Sequence, residues 1–105
     1  MPYPIGMTRT EVINRLKSVE PALRAQGVAA LYLYGSYARD EARPDSDIDI
    51  LVDFNPREGL GLTEFMAPYH LLEREFPGIE IGYGTRDNLV PRYRPYVERS
   101  AARIF

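Results

Sequence analysis

The sequence predicts an α/β domain, a small β-sheet flanked by helices. Three observations predict it. The 105 residues are one domain's worth of chain, read here as a single domain over 1–105. Short apolar runs bounded by Gly and Pro alternate with segments of helical spacing. The composition is 45% apolar and free of cysteine, which fits a globular chain without a disulfide scaffold.

The first helix opens on a capping box, Thr8-Arg9-Thr10-Glu11, whose hydroxyl and carboxylate satisfy orphan N–H groups reciprocally. Val12, Ile13, Leu16, Val19 and Leu23 keep helical spacing. Pro21 ends or kinks this helix near Glu20, because it lacks an N–H and clashes with the preceding turn. Gly27 is a good stop. Ala29 to Tyr34 reads as a buried strand, broken by Gly35-Ser36, and Tyr37 to Ala42 as a short helix. Ile48 to Phe54 is a second strand and Asn55-Pro56-Arg57-Glu58-Gly59 a loop. Leu62 to Phe76 has helical spacing in Leu62, Phe65, Met66, Tyr69, Leu72 and Phe76, with Pro68 inside it. Pro77-Gly78 turns the chain into a third strand, Ile79 to Tyr83, and Asn88 to Ile104 reads as a helix interrupted around Pro91 and Pro95. Three strands make a thin core for this length.

Charge and composition exclude several classes. The formal net charge of -2 argues against direct nucleic-acid binding. With no Cys and His70 the single histidine, there is neither a thiol nucleophile nor a Cys- or His-rich zinc site. The longest apolar run, Val28 to Tyr34, is far below the ~20 residues that span a bilayer, so no membrane association is expected. Met1 to Gly6 has no basic or apolar leader, so a cytoplasmic location is expected. Acids concentrate between Asp40 and Asp53 (Asp40, Glu41, Asp45, Asp47, Asp49, Asp53) against Arg43 alone. In the tail Arg86, Arg92, Arg94, Arg99 and Arg103 outweigh Asp87 and Glu98, which reads as a solvated helix face.

The chemistry sits in Gly35 to Asp53. Asp47 and Asp49 lie two apart in a strand pattern, so their carboxylates share one face and repel. Apolar neighbours Ile48, Ile50, Leu51 and Val52 want dry surroundings, and a hard cation between the two acids resolves the conflict. Gly35-Ser36 follows an apolar strand and precedes a helical segment, where glycine admits close approach and N–H groups and a hydroxyl meet phosphate oxygens. Together these are the parts of metal-assisted phosphoryl or nucleotidyl transfer. Rival readings fail. Asp45-x-Asp47-x-Asp49 begins like a calcium loop, but Ile50 and Pro56 stand where Gly and Glu are needed. There is no Gly-Lys-Ser/Thr triplet, and Gly82-Tyr83-Gly84 meets Asp87 where a dinucleotide fingerprint needs Gly.

Gly35-Ser36-x-Ala38-Arg39 followed by Pro44-Asp45-Ser46-Asp47-Ile48-Asp49-Ile50-Leu51-Val52 resembles the minimal nucleotidyltransferases of the DNA polymerase β superfamily. The resemblance covers most of the chain. It implies a small mixed-sheet core flanked by helices, two Mg²⁺ ions and ATP as the nucleoside triphosphate substrate. It also implies an antitoxin role, in which AMP passes to a tyrosine hydroxyl of a HEPN-type toxin protein. Gly35 and Ser36 match the triphosphate-binding turn, and Asp47 and Asp49 the metal-binding pair; Arg39 and Arg43 are placed to balance charge on the leaving group, with a structural salt bridge to Glu41 or Asp45 as the alternative. Glu80, in Ile79-Glu80-Ile81, matches the third carboxylate, a metal ligand and proton acceptor. Two positions depart from the pattern: Glu80 replaces the usual Asp, and Asp40 stands where the family usually has Gly. An antitoxin that neutralises by binding alone, with little or no turnover, is the alternative. Small-molecule nucleotidyltransferases usually carry an extra domain for the acceptor, for which 105 residues leave little room.

Overall fold

A computed structural model describes residues 7–56, 60–85, 91–92 and 94–105. Helix α1 (Arg9–Ser18) starts at the expected capping box: Glu11 N–H donates to Thr8 Oγ1 at 3.1 Å and Thr8 N–H to Glu11 Oε1 at 2.9 Å. These bonds hold the Glu11 carboxyl below its usual pKa. The chain breaks at Val19 and resumes as α2 (Glu20–Ala25), with Pro21 in the first turn, where its missing N–H leaves no helical bond unmade. Gly27, at φ +95°, turns the chain into β1 (Val28–Tyr34).

The one-turn helix α3 (Gly35–Ala38) is shorter than expected and starts at the glycine itself. Strand β2 (Ile48–Phe54) leads through α4 (Leu62–Glu75) to β3 (Ile81–Thr85), which begins two residues later than the spacing suggests. Pro68 sits buried inside α4.

The tail corrects the reading. Helix α5 covers only Arg94–Ser100, and Ala102–Arg103 form a fourth strand, β4. Residues 57–59 of the loop and 88–90 and 93 of the expected tail helix lie outside the described residues. Ser100 Oγ donates back to Tyr96 O at 3.1 Å as α5 ends. Ile104 N–H then donates to Leu31 O at 2.8 Å and Leu31 N–H to Phe105 O at 3.0 Å, so β1 supplies the partner that stops the helix. The Arg24 guanidinium lies 4.8 Å from the Phe105 ring centre and covers the chain end.

The sheet order is β3-β2-β1-β4, with β1 antiparallel to β2 and β4, and β2 parallel to β3 across the α4 crossover. One face is the core: Leu31, Leu33, Ile48, Ile50 and Val52 bury against Val12, Leu16 and Leu23 and against Leu72 and Phe76 of α4. Tyr83 joins this face, donating to Phe65 O at 2.7 Å and packing edge-on against Phe65. The opposite face carries Tyr32, Tyr34, Asp49 and Gly82, with α5 near Tyr32 and Leu51. No helix among the described residues is long and apolar enough to cross a membrane.

Candidate active site

Asp49 sits near the start of β2, between Tyr34 of β1 and Gly82 of β3 in the register. Its neighbours Ile48 and Ile50 turn into the core, so the pleat puts Asp49 on the open face. Asp47 immediately precedes the strand and is exposed.

Two glycines shape the space around the Asp49 carboxylate. Gly35 adopts φ +74°, and a β-carbon built on it would overlap Asp49 Oδ2. A β-carbon on Gly82 would lie 2.5 Å from Asp49 Oδ1, inside any real contact. The carboxylate therefore occupies a slot between the Gly35 turn after β1 and the backbone of β3. A side chain at either glycine would close that slot.

The slot is electrostatically unfavourable for a carboxylate anion. Burial pushes the Asp49 carboxyl above its ordinary pKa, the Asp47 charge adds to the rise, and Arg39 opposes it. The Tyr34 hydroxyl is raised as well, first by burial and then by Asp49. Two neighbouring carboxylates, one of them held half-buried and under-compensated, are a donor set whose chemistry fits a hard divalent cation. Among the described residues, no three Asp, Glu, His or Cys side chains surround a common metal position.

The structure thus brings Gly35, Arg39, Asp47 and Asp49 together, with Ser36 in the same turn as Gly35. Arg39 is exposed and its Nε is 3.5 Å from Glu41 Oε2, a long surface contact that leaves the guanidinium weakly held. Glu80 is placed differently. Its carbonyl accepts from Ile48 N–H at 2.9 Å, so its backbone lies beside Asp47, at the mouth of β3. Its carboxylate acts on Tyr69 of α4, whose hydroxyl pKa is raised first by Glu73, then by burial and by Glu80. Glu80 lines an open cleft of about 540 Å³ with Tyr69, Glu73 and Phe76. His70 is exposed on α4, 3.2 Å from Glu73, away from the slot.

The sequence reading missed Gly82 and Tyr34. Gly82 had a signal: a glycine inside a strand marks a close backbone approach, here by Asp49. Asp40 adopts φ +56°, the sole non-glycine in the left-handed region among the described residues. Asp is among the residues that tolerate that conformation, which glycine adopts freely.

Comparison with known proteins gives the family and the fold. Residues 11–103 match the family model of the nucleotidyltransferase domain. A candidate protein adenylyltransferase of Methanocaldococcus jannaschii is 34% identical over 93 residues, spanning 88% of this chain and 97% of its own length. A solved structure described as a candidate minimal nucleotidyltransferase superposes with a TM-score of 0.75 at 32% identity, covering 91% of this chain and 95% of that one. A crystal structure of a toxin–antitoxin with AMP-PNP shares the fold at a TM-score of 0.63 and 17% identity, covering 94% of this chain and 73% of that one.

Proposed function

The chain belongs to the nucleotidyltransferase domain family, and on that premise we propose that it transfers AMP from ATP to a tyrosine hydroxyl of a HEPN-type toxin, acting as that toxin's antitoxin. The observation that carries the reading is the slot: Asp49 held between Gly35 and Gly82, beside Asp47 and under the Arg39 charge. The relative named as a candidate adenylyltransferase and the toxin–antitoxin structure with AMP-PNP support it. The tyrosine and the HEPN class rest on the resemblance of the Gly35-to-Val52 motif.

Asp47 and Asp49 would hold Mg²⁺. When bound, the metal neutralises the triphosphate and stabilises charge on departing pyrophosphate. The Gly35-Ser36 turn binds terminal phosphate oxygens, and Arg39 balances their charge. A bond forms between the acceptor oxygen and the α-phosphorus while the bond from that phosphorus to pyrophosphate breaks. Glu80, whose backbone lies beside Asp47 at the mouth of β3, is the residue that would accept the proton of the incoming hydroxyl. A second reading, neutralisation by binding alone, is favoured by one observation: Glu80 lines the cleft with Tyr69 and Glu73, and among the described residues no third carboxylate joins Asp47 and Asp49 around a metal position.

Label transfer separates the two. Purified protein, Mg²⁺ and ATP labelled on the α- or the γ-phosphate are added to a lysate of the native host, beside an Asp47→Ala/Asp49→Ala control. Movement of the α-label alone onto a small protein, lost in the control, supports adenylylation. If neither label moves and the chain still retains a small partner, binding alone accounts for the antitoxin.

A further inference from the structure

Resting on that functional reading, we propose that Arg9 is a positioning residue of the nucleotide site. It fixes the peptide between Ala38 and Arg39, and so sets where Arg39 and Gly35 stand relative to Asp49.

The argument starts at the capping box. Thr8 and Glu11 lock the first turn of α1, and Arg9 is the first residue of that helix. From there Arg9 Nε donates to Ala38 O at 3.1 Å, a partly buried bond between residues 29 apart in sequence. The other end of the same peptide is also held, since Arg39 N–H donates to Gly35 O at 3.2 Å. A peptide unit is planar, so anchoring its oxygen and its N–H fixes its orientation. Arg39 departs directly from that plane. Gly35, bonded to it, is the residue whose bare Cα faces the Asp49 carboxylate.

The rest of the turn closes on itself. Tyr37 O accepts from Asp40 N–H at 3.2 Å and Ser36 O from Glu41 N–H at 2.8 Å. Ala38 O takes its bond from Arg9. Of the four carbonyls of α3, this is the one whose partner comes from α1, and through it the turn is tied to the helical layer. A charged donor to a carbonyl is stronger than a neutral one, so the tie is firm where the turn itself is a single helical turn.

Three measurements on the full chain test this, using AMP-PNP with Mg²⁺ as the binding probe and Arg9→Ala and Arg9→Lys as variants. Arg9→Ala is expected to weaken AMP-PNP binding about tenfold and to speed amide exchange at Arg39 by about the same factor, the loss of one charge-assisted hydrogen bond. In transfer assays KM for ATP rises while kcat stays within about twofold, the pattern of lost ground-state positioning. Arg9→Lys, which can still donate to Ala38 O, recovers most of both. A purely structural role would instead lower the melting temperature and leave affinity and KM unchanged in the folded fraction, and that result overturns the proposal. So does a fall in kcat at unchanged KM. If the wild-type chain binds no AMP-PNP, the functional reading fails first, and unchanged Arg39 exchange in Arg9→Ala then removes the tie as well.

Discussion

Gly35 stands against the Asp49 carboxylate with no room for a side chain, and it does so at φ +74°, in the left-handed region. Two penalties therefore meet at one position. Gly35→Ala places a methyl on Oδ2 and strains the backbone by roughly 1–2 kcal/mol. The expected outcome is a loss of ~2–3 kcal/mol in urea unfolding and, with Asp49 acting as proposed, a fall in AMP transfer of about 100-fold or more, because the added methyl displaces its carboxylate. Gly82 separates the two effects. Its φ is not in the left-handed region, and its β-carbon would clash with the far end of the Asp49 side chain, Oδ1 at 2.5 Å, while Asp49 Cγ and Cα lie at ordinary contact, 3.6 and 3.7 Å. Gly82→Ala is thus expected to change stability by under ~1 kcal/mol and still to cut transfer about tenfold or more.

Much of this site was legible before the structure, for a physical reason. The Asp47/Asp49 spacing and the Gly35-Ser36 break are local, and local pattern determines which face of a strand a residue takes. The α1 capping box and the break at Pro21 are local in the same way. The contacts that shape the slot are not. Gly35 and Gly82 meet Asp49 across two different strand pairings, which no spacing reveals. The tail shows the same limit. Val97, Ala101 and Ile104 keep helical spacing, yet the backbone of Leu31 captures Ile104 and makes a strand of the residues before it. Tertiary pairing overrode the helical pattern there.

The charge on Asp49 works against the fold. Its carboxyl pKa is raised in the folded chain, by burial first and then by Asp47. The folded state therefore holds that proton where the unfolded chain has released it. Stability falls as pH rises from the unfolded value of about 3.9 through the raised folded one, and the whole penalty is present above both. Asp49→Asn keeps the shape and removes the charge. It is expected to be more stable than wild type at pH 7, by a few tenths to ~1 kcal/mol given the open half of the site. That advantage vanishes below about pH 4. Millimolar Mg²⁺ should raise the melting temperature of the wild type and leave Asp49→Asn unmoved. Thermal melts across pH, with and without Mg²⁺, check each part.

Asp40 offers a gain rather than a loss. It holds φ +56°, which glycine adopts freely, and it adds a negative charge next to the turn proposed to bind phosphate. Asp40→Gly relieves the backbone, offset in part by the greater freedom of glycine in the unfolded chain. The net change expected is between zero and ~1 kcal/mol of added stability. Removal of the charge should lower KM for ATP a few-fold at low ionic strength, with the effect shrinking in ~0.5 M salt as the field is screened. Steady-state kinetics at two salt concentrations measure it.

Tyr83 tests whether the two faces of β3 act separately. Its side chain points to the core, opposite to Gly82, and its hydroxyl donates to Phe65 O at 2.7 Å. Burial raises the Tyr83 hydroxyl well above its ordinary pKa, so it remains a donor at any pH at which the fold is assayed. Tyr83→Phe keeps the ring contacts and removes the bond, for an expected loss of ~1–2 kcal/mol in denaturant unfolding. AMP transfer should stay within about twofold, since Asp49 meets the backbone of β3 at Gly82 and not the core face. A tenfold fall in transfer with this modest loss of stability would mean that the tie to α4 also sets the distance of β3 from Asp49. Gly82→Ala and Tyr83→Phe would then be non-additive in a double-mutant cycle.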